Sequence, residues 1–343
     1  MLNKFLFLFY CASAVFAIPQ QEISNMVVMG THHIYREDFR QAQRNFDILI
    51  KKYPDHPAGY FYKAVLLDAE MNYYGSVNNE KEFYSLCDGA IERCKKLLKK
   101  EENDVWITFF LGGAMGFKGN YEARHLRYIS AFRYGWSGFT YLEKAKVLSP
   151  NLNDADFGLG MYNYWKSRMM NKLKLWWLPG GDDKRAYGIK QLINGYESGL
   201  YTKYASAQAL VWVYIEEGRY QEAADLARVV LKKYTHNRDF EWALGEALFK
   251  MGKMTESEKH FRYILDMCDA DDYNTFVNSF RMRVRLARIY MKQKLYYKAL
   301  AECRRAKYYR ISSVLQADIK DEIDEAEQII IKAKRLNAKN LPE

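Results

Sequence analysis

Between Arg238 and Asp269 the chain reads RDFEWALGEALFKMGKMTESEKHFRYILDMCD. Apolar positions recur at helical spacing on both sides of a break at Lys250–Met254. Small residues, Gly245 and Ser257, stand where the two helices of such a pair must approach closely. The pattern predicts two short helices joined by a tight turn. One such hairpin cannot bury both of its faces, so it must stack on neighbours of its own kind.

The rest of the chain supplies those neighbours. Ile23 to His56 carries Gly30, Phe39, Ala42, Phe46 and Pro54 at the same intervals, and Pro54 stops a helix because it has no N–H and clashes with the preceding turn. A second pair is expected from Pro57 to about Lys100, with a long loop at Gly75 to Asn79. The third opens at Asp104 and places Gly112, Gly113 and Gly116 inside a helix, where each costs about 1 kcal/mol relative to alanine. No strand precedes them, so they point to close backbone packing and not to a phosphate loop. A long second helix follows, ending at Leu148-Ser149-Pro150, with Gly135 and Gly138 as expected bends. The fourth pair, Asp154 to Arg168 and Ala186 to Leu200, is interrupted by NKLKLWWLPGGDDKR at 171–185. A fifth runs through Leu210, Tyr214, Gly218, Tyr220 and Ala223, and a seventh through Leu286, Ala287, Tyr290, Tyr296, Ala299 and Ala306. Val314 to Arg335 reads as one amphipathic helix whose polar outer face would cap the array. The expected fold is an all-α solenoid of about seven hairpins over 18–310, closed by a capping helix and tail over 311–343.

A repeat of about 34 residues with this pattern resembles the tetratricopeptide repeat family. The likeness spans nearly the whole chain, strongest in hairpins one, five, six and seven and weak in two and four. GLGMYNYW, LPGGDD and GIKQLINGY together are similar to a group of exported bacterial tetratricopeptide proteins of unassigned role, and more faintly to a eukaryotic tetratricopeptide family linked to inclusion-body clearance. Neither carries a catalytic residue to transfer. The family resemblance implies a protein or peptide partner held on a concave face lined by the first helix of each pair. The positions it selects are Met161 and Trp165, Gln208 and Trp212, Trp242 and Glu246, and Arg281 and Arg288. Aromatic and arginine side chains dominate binding hot spots. The competing reading is that several of these rings fill contacts between adjacent hairpins.

The first residues read as a signal peptide. Lys4 is the basic end, Phe5 to Phe16 is apolar but too short to span a bilayer well, and Ala17 is the expected cleavage site, with Ala14 second. Tyr10 stands where a lipoprotein signal needs a small residue before Cys11. The expected location is exported, periplasmic or outer-envelope associated, which makes nucleic acid an unsuitable partner despite a net charge of +10. Cys87, Cys94, Cys268 and Cys303 read as small buried apolar residues, and Cys268 with Cys303 is the pairing to check.

Charge adds one candidate. Arg281 to Arg310 holds eleven Lys or Arg against one acid, Glu302. It is either an anion site or a face neutralised by the acids of the last helix, Asp318, Asp321, Glu322, Asp324, Glu325 and Glu327. Trp176, Trp177 and Leu178 in the insertion would dip into a membrane interface, cover a partner or plug the irregular fourth pair. These two stretches together support the alternative function, a membrane-associated envelope assembly factor contacting anionic lipid. The six histidines form no helical His-Glu-x-x-His set, and no nucleophile elbow or Walker-type loop is present. No cofactor, metal or enzymatic activity is expected.

Overall fold

The computed structural model describes residues 20–174 and 182–339. Among them are sixteen helices and no strand. The first hairpin pairs α1 (20–35) with α2 (Phe39–Lys52), and the second α3 (Pro57–Tyr74) with α4 (Glu80–Leu98). The third pairs α5 (Val105–Arg124) with α6 (Tyr128–Leu148), and the fourth α7 (Ala155–Lys172) with α8 (Arg185–Ser198). Then come α9 (Lys203–Glu216) with α10 (Tyr220–Lys233), α11 (Arg238–Lys250) with α12 (Met254–Asp269), and α13 (Val277–Lys292) with α14 (Tyr296–Lys307). Two further helices, α15 (Ser313–Asp318) and α16 (Lys320–Lys339), end the described chain. The protein is an all-α solenoid of stacked hairpins. The expected leader, 1–17, lies outside the described residues.

Five of the seven hairpins turn in the same way. A single residue adopts the left-handed region at the centre of a three-residue link: Glu37, Leu126, Gly218, Gly252 and Lys294. In each, the N–H of the following residue reaches back five positions to a helical carbonyl, for example Arg219 to Tyr214 at 2.8 Å and Lys253 to Leu248 at 2.9 Å. This is the bonding that satisfies orphan carbonyls at a helix end.

Close approach of helices is bought with missing side chains. A Cβ on Gly138 would stand 2.5 Å from the backbone nitrogen of Gly116, and one on Gly119 2.7 Å from that of Gly135. The glycines of α5 and α6 therefore face one another, and α6 runs as one element from Tyr128 to Leu148 where bends at Gly135 and Gly138 were expected. In the sixth hairpin, the Ser257 hydroxyl donates to the Gly245 carbonyl at 2.8 Å, and Phe261 packs over Gly245.

At the C-terminal end the expected single helix is two. Ile319 leaves helical geometry at φ −119° and buries its side chain completely in the core of α12 to α14. That break lets α16 lie along α13 and α14.

The array also closes on itself. The carbonyls that end α3 have no partners in their own helix. Asn278 Nδ2 donates to the carbonyls of Asn72 and Tyr73, each at 3.0 Å, and Thr275 Oγ1 donates to those of Tyr74 at 2.7 Å and Gly75 at 2.9 Å. The Arg238 guanidinium lies 3.5 Å from the Tyr73 ring centroid and pairs with Asp271 at 3.5 Å. A cation at a helix C-terminus also complements the helix dipole. One hairpin earlier, Arg238 N donates to Glu37 at 2.6 Å and Asn237 Nδ2 to the Tyr35 carbonyl at 3.0 Å. Tyr35 packs against Tyr204 and Tyr234, with ring centroids 5.5 and 5.6 Å apart. Hairpins one and two are thus docked on the loops that precede α9, α11 and α13.

Candidate functional site

The residues selected from the sequence lie on α7, α9, α11 and α13, the first helices of hairpins four to seven. On α9, Gln208 donates to the exposed Asp239 of α11 at 2.7 Å. Trp212 meets Trp242 of α11 edge to face, with centroids 6.4 Å apart. The Arg285 guanidinium of α13 lies 4.3 Å from the Trp242 ring. An aromatic and cationic strip therefore crosses three successive hairpins. Arg–indole stacking of this kind is favourable and stronger when water is excluded. The Trp242 indole N–H finds no acceptor among the described residues.

The strip continues into ion pairs. Glu246, 8% exposed, accepts from Arg285 Nε at 2.8 Å and lies 3.8 Å from Arg288. Arg288 makes a two-pronged contact with both carboxylate oxygens of Glu325 on α16, and that hydrogen bonding raises its pKa. Arg281 pairs with Glu322 at 3.3 Å. Burial acts against the charge of Arg285 and pulls its pKa down. On α7, Met161 is half-buried, while Trp165 is 38% exposed and packs edge to face on Tyr164 at 5.1 Å.

The structure thus joins Trp212, Trp242, Glu246, Arg281 and Arg288 through direct contacts or shared partners. Met161 and Trp165 stand apart on α7. Trp176, Trp177 and Leu178 lie outside the described residues. Arg285 is the member the sequence reading passed over. Its signal was the spacing of Arg281, Arg285 and Arg288, which puts all three on one side of α13.

The basic run is in large part engaged. Besides the pairs above, Arg283 contacts Glu302 at 2.8 Å and Asp269 at 3.1 Å, and Lys307 contacts Glu327 at 3.1 Å. Three of the acids expected to neutralise the run, Glu322, Glu325 and Glu327, do so from α16.

A separate hollow of about 520 Å³ opens between the loops before α5, α7 and α9. Two of its three acids, Asp104 and Asp154, are already in use. Asp104 Oδ1 accepts from the N–H of Ile107 at 2.9 Å, and the Asp154 carboxylate gathers the N–H groups of Leu200, Tyr201 and Thr202. Among the described residues no group of His, Cys, Asp or Glu is placed to hold a metal ion. Cys87, Cys94, Cys268 and Cys303 are free and buried, and burial pushes each thiol pKa up. No described helix is long and apolar enough to cross a membrane.

The tetratricopeptide repeat family profile matches residues 27–73 and 209–275. Over those two stretches the chain is similar to the tetratricopeptide repeat family. Among solved structures, the MamA protein is 23% identical, with 57% of this chain and 90% of that one covered and a TM-score of 0.36. A tetratricopeptide repeat protein from Parabacteroides merdae is 10% identical over 88% of this chain and 99% of that one, with a TM-score of 0.39. A human IFIT1 dimer with PPP-AAAA is 18% identical over 88% of this chain and 69% of that one, with a TM-score of 0.42. No curated protein matches the chain. Tetratricopeptide repeat proteins are in general non-catalytic scaffolds for protein partners.

Proposed function

We propose that this chain is an exported, non-catalytic tetratricopeptide repeat scaffold that holds a protein or peptide partner on the inner wall between α7 and α13. The observation that carries the reading is the strip of Trp212, Trp242 and Arg285 across three successive hairpins. Because Arg281 and Arg288 already face Glu322 and Glu325, they offer little unpaired charge to an acidic segment. The partner is anchored instead by apolar contacts at Met161, Trp165 and Trp212, with Gln208 and Asp239 as the polar edge. The alternative, lipid contact through Arg281 to Arg310, draws less support, since much of that run is paired within the chain.

Photo-crosslinking in cells tests the reading. A crosslinking residue at Trp165 or Trp212 should capture the same partner. One at Val229, 50% exposed on α10, should capture none. Equal capture at Val229, or none at either tryptophan, would remove the inner-wall assignment.

A further inference from the structure

The second helix of the third hairpin hides little of itself. Of the 21 residues of α6, only Gly138, Leu142 and Ala145 are buried. Ile129, Phe132 and Trp136 recur at helical spacing on the opposite side and are 90%, 67% and 49% exposed. Scattered apolar residues on a surface need no explanation, but a contiguous stripe does.

The stripe continues onto the neighbouring helix. α6 and α7 run antiparallel, because Lys146 pairs with Asp156 at 2.8 Å while Phe139, earlier on α6, stacks on Tyr162, later on α7, at 4.3 Å. That register brings the start of α6 beside the end of α7, where Met169 and Leu173 are 51% and 57% exposed. The charge there is mostly basic, with Glu216 against Arg168 and Asp183 against Asn171 as the nearby acids. Arg124 to Leu142 and Phe157 to Lys174 contain seven Lys or Arg and no Asp or Glu. Among the described residues, Arg133, Lys166, Lys172 and Lys174 have no carboxylate partner.

We propose that this face of α6 and α7 is a docking surface for an anionic lipid bilayer. Helices that lie in a membrane interface carry Trp, Phe and aliphatic residues on one side and Lys or Arg beside them. The tryptophan ring suits the headgroup level, and long basic side chains reach outward while their stems stay apolar. A second copy of the chain is a poor occupant, since a symmetric contact would set the same unpaired cations against each other. The surface borders the inner wall on α7, where Met169 lies one turn beyond Trp165, and does not depend on Arg281 to Arg310.

Flotation of the mature chain with vesicles tests the proposal. Binding to phosphatidylcholine vesicles containing phosphatidylglycerol should exceed binding to pure phosphatidylcholine by about tenfold or more, as expected for several surface cations, and should weaken at high salt. Ile129→Ser with Phe132→Ser and Trp136→Ser should abolish it. Arg133→Glu with Lys172→Glu should remove the preference for anionic vesicles. Ile129 and Phe132 are mostly exposed while Trp136 also packs on Phe139 and Tyr162, so helical circular dichroism at the assay temperature serves as the control that each variant is folded. No binding to anionic vesicles at low salt would overturn the proposal and leave a protein partner as the occupant. A dimer in light scattering that the serine variant dissociates would overturn it in favour of a second copy. Vesicle binding that neither variant alters would also overturn it.

Discussion

His56 shows how one side chain ties local structure to solution conditions. Its Nδ1 accepts from the Ala58 N–H at 3.2 Å at the start of α3, and its ring meets Phe110 edge to face at 5.6 Å. Only the neutral imidazole can accept, and burial pushes its pKa down from the ordinary 6.5 to about 4. A base whose folded pKa is depressed stabilises fully above the unfolded value and loses that stabilisation as pH falls through the folded one. Urea unfolding of the protein should therefore lose about 1 kcal/mol between pH 7 and pH 4 on account of this group, since the residue is half-buried. His56→Asn, which keeps an accepting cap, should remove that part of the loss. An unchanged pH dependence in the variant would contradict the assignment. The turn residues differ in how openly they announce themselves. Gly218 and Gly252 mark left-handed positions that a reader of the sequence expects. Glu37, Leu126 and Lys294 take the same geometry with a side chain, and nothing local distinguishes them from ordinary helix residues.

At the scale of elements, helical periodicity made the hairpins readable because each buries its apolar side against an immediate neighbour. The glycines of the third hairpin were readable for the same reason: glycine inside a helix is costly unless something needs the room. Gly138→Ala should destabilise the protein by about 1–3 kcal/mol, since a Cβ there would press on the backbone at Gly116 and backbone cannot step aside as a flexible side chain can. Thermal or denaturant unfolding measures it, and a neutral result would mean that α5 and α6 are farther apart than described. The break at Ile319 was not readable. The amphipathic pattern runs straight through it, and the break exists only because the buried Ile319 side chain and the ion pairs of α16 with α13 require a change of direction. The acids that pair with the basic run could be named from sequence, but their individual partners depend on how α16 lies.

For the whole molecule, the solenoid was expected and its closure was not. The groups that cap the end of α3 lie about 200 residues away in sequence, for example 206 between Asn72 and Asn278. They are polar side chains with no periodic signature. The same holds for Arg238 over Tyr73 and for the rings of Tyr35, Tyr204 and Tyr234. Closure fixes hairpins one and two against the loops before α9, α11 and α13. The direct test is a short bifunctional maleimide applied to a protein carrying Tyr74→Cys and Tyr273→Cys, whose rings are 6.0 Å apart and whose native cysteines are buried. The account predicts an intramolecular link between α3 and the loop before α13 in nearly every folded monomer, lost in denaturant. A folded monomer that does not link would show an open superhelix and contradict it.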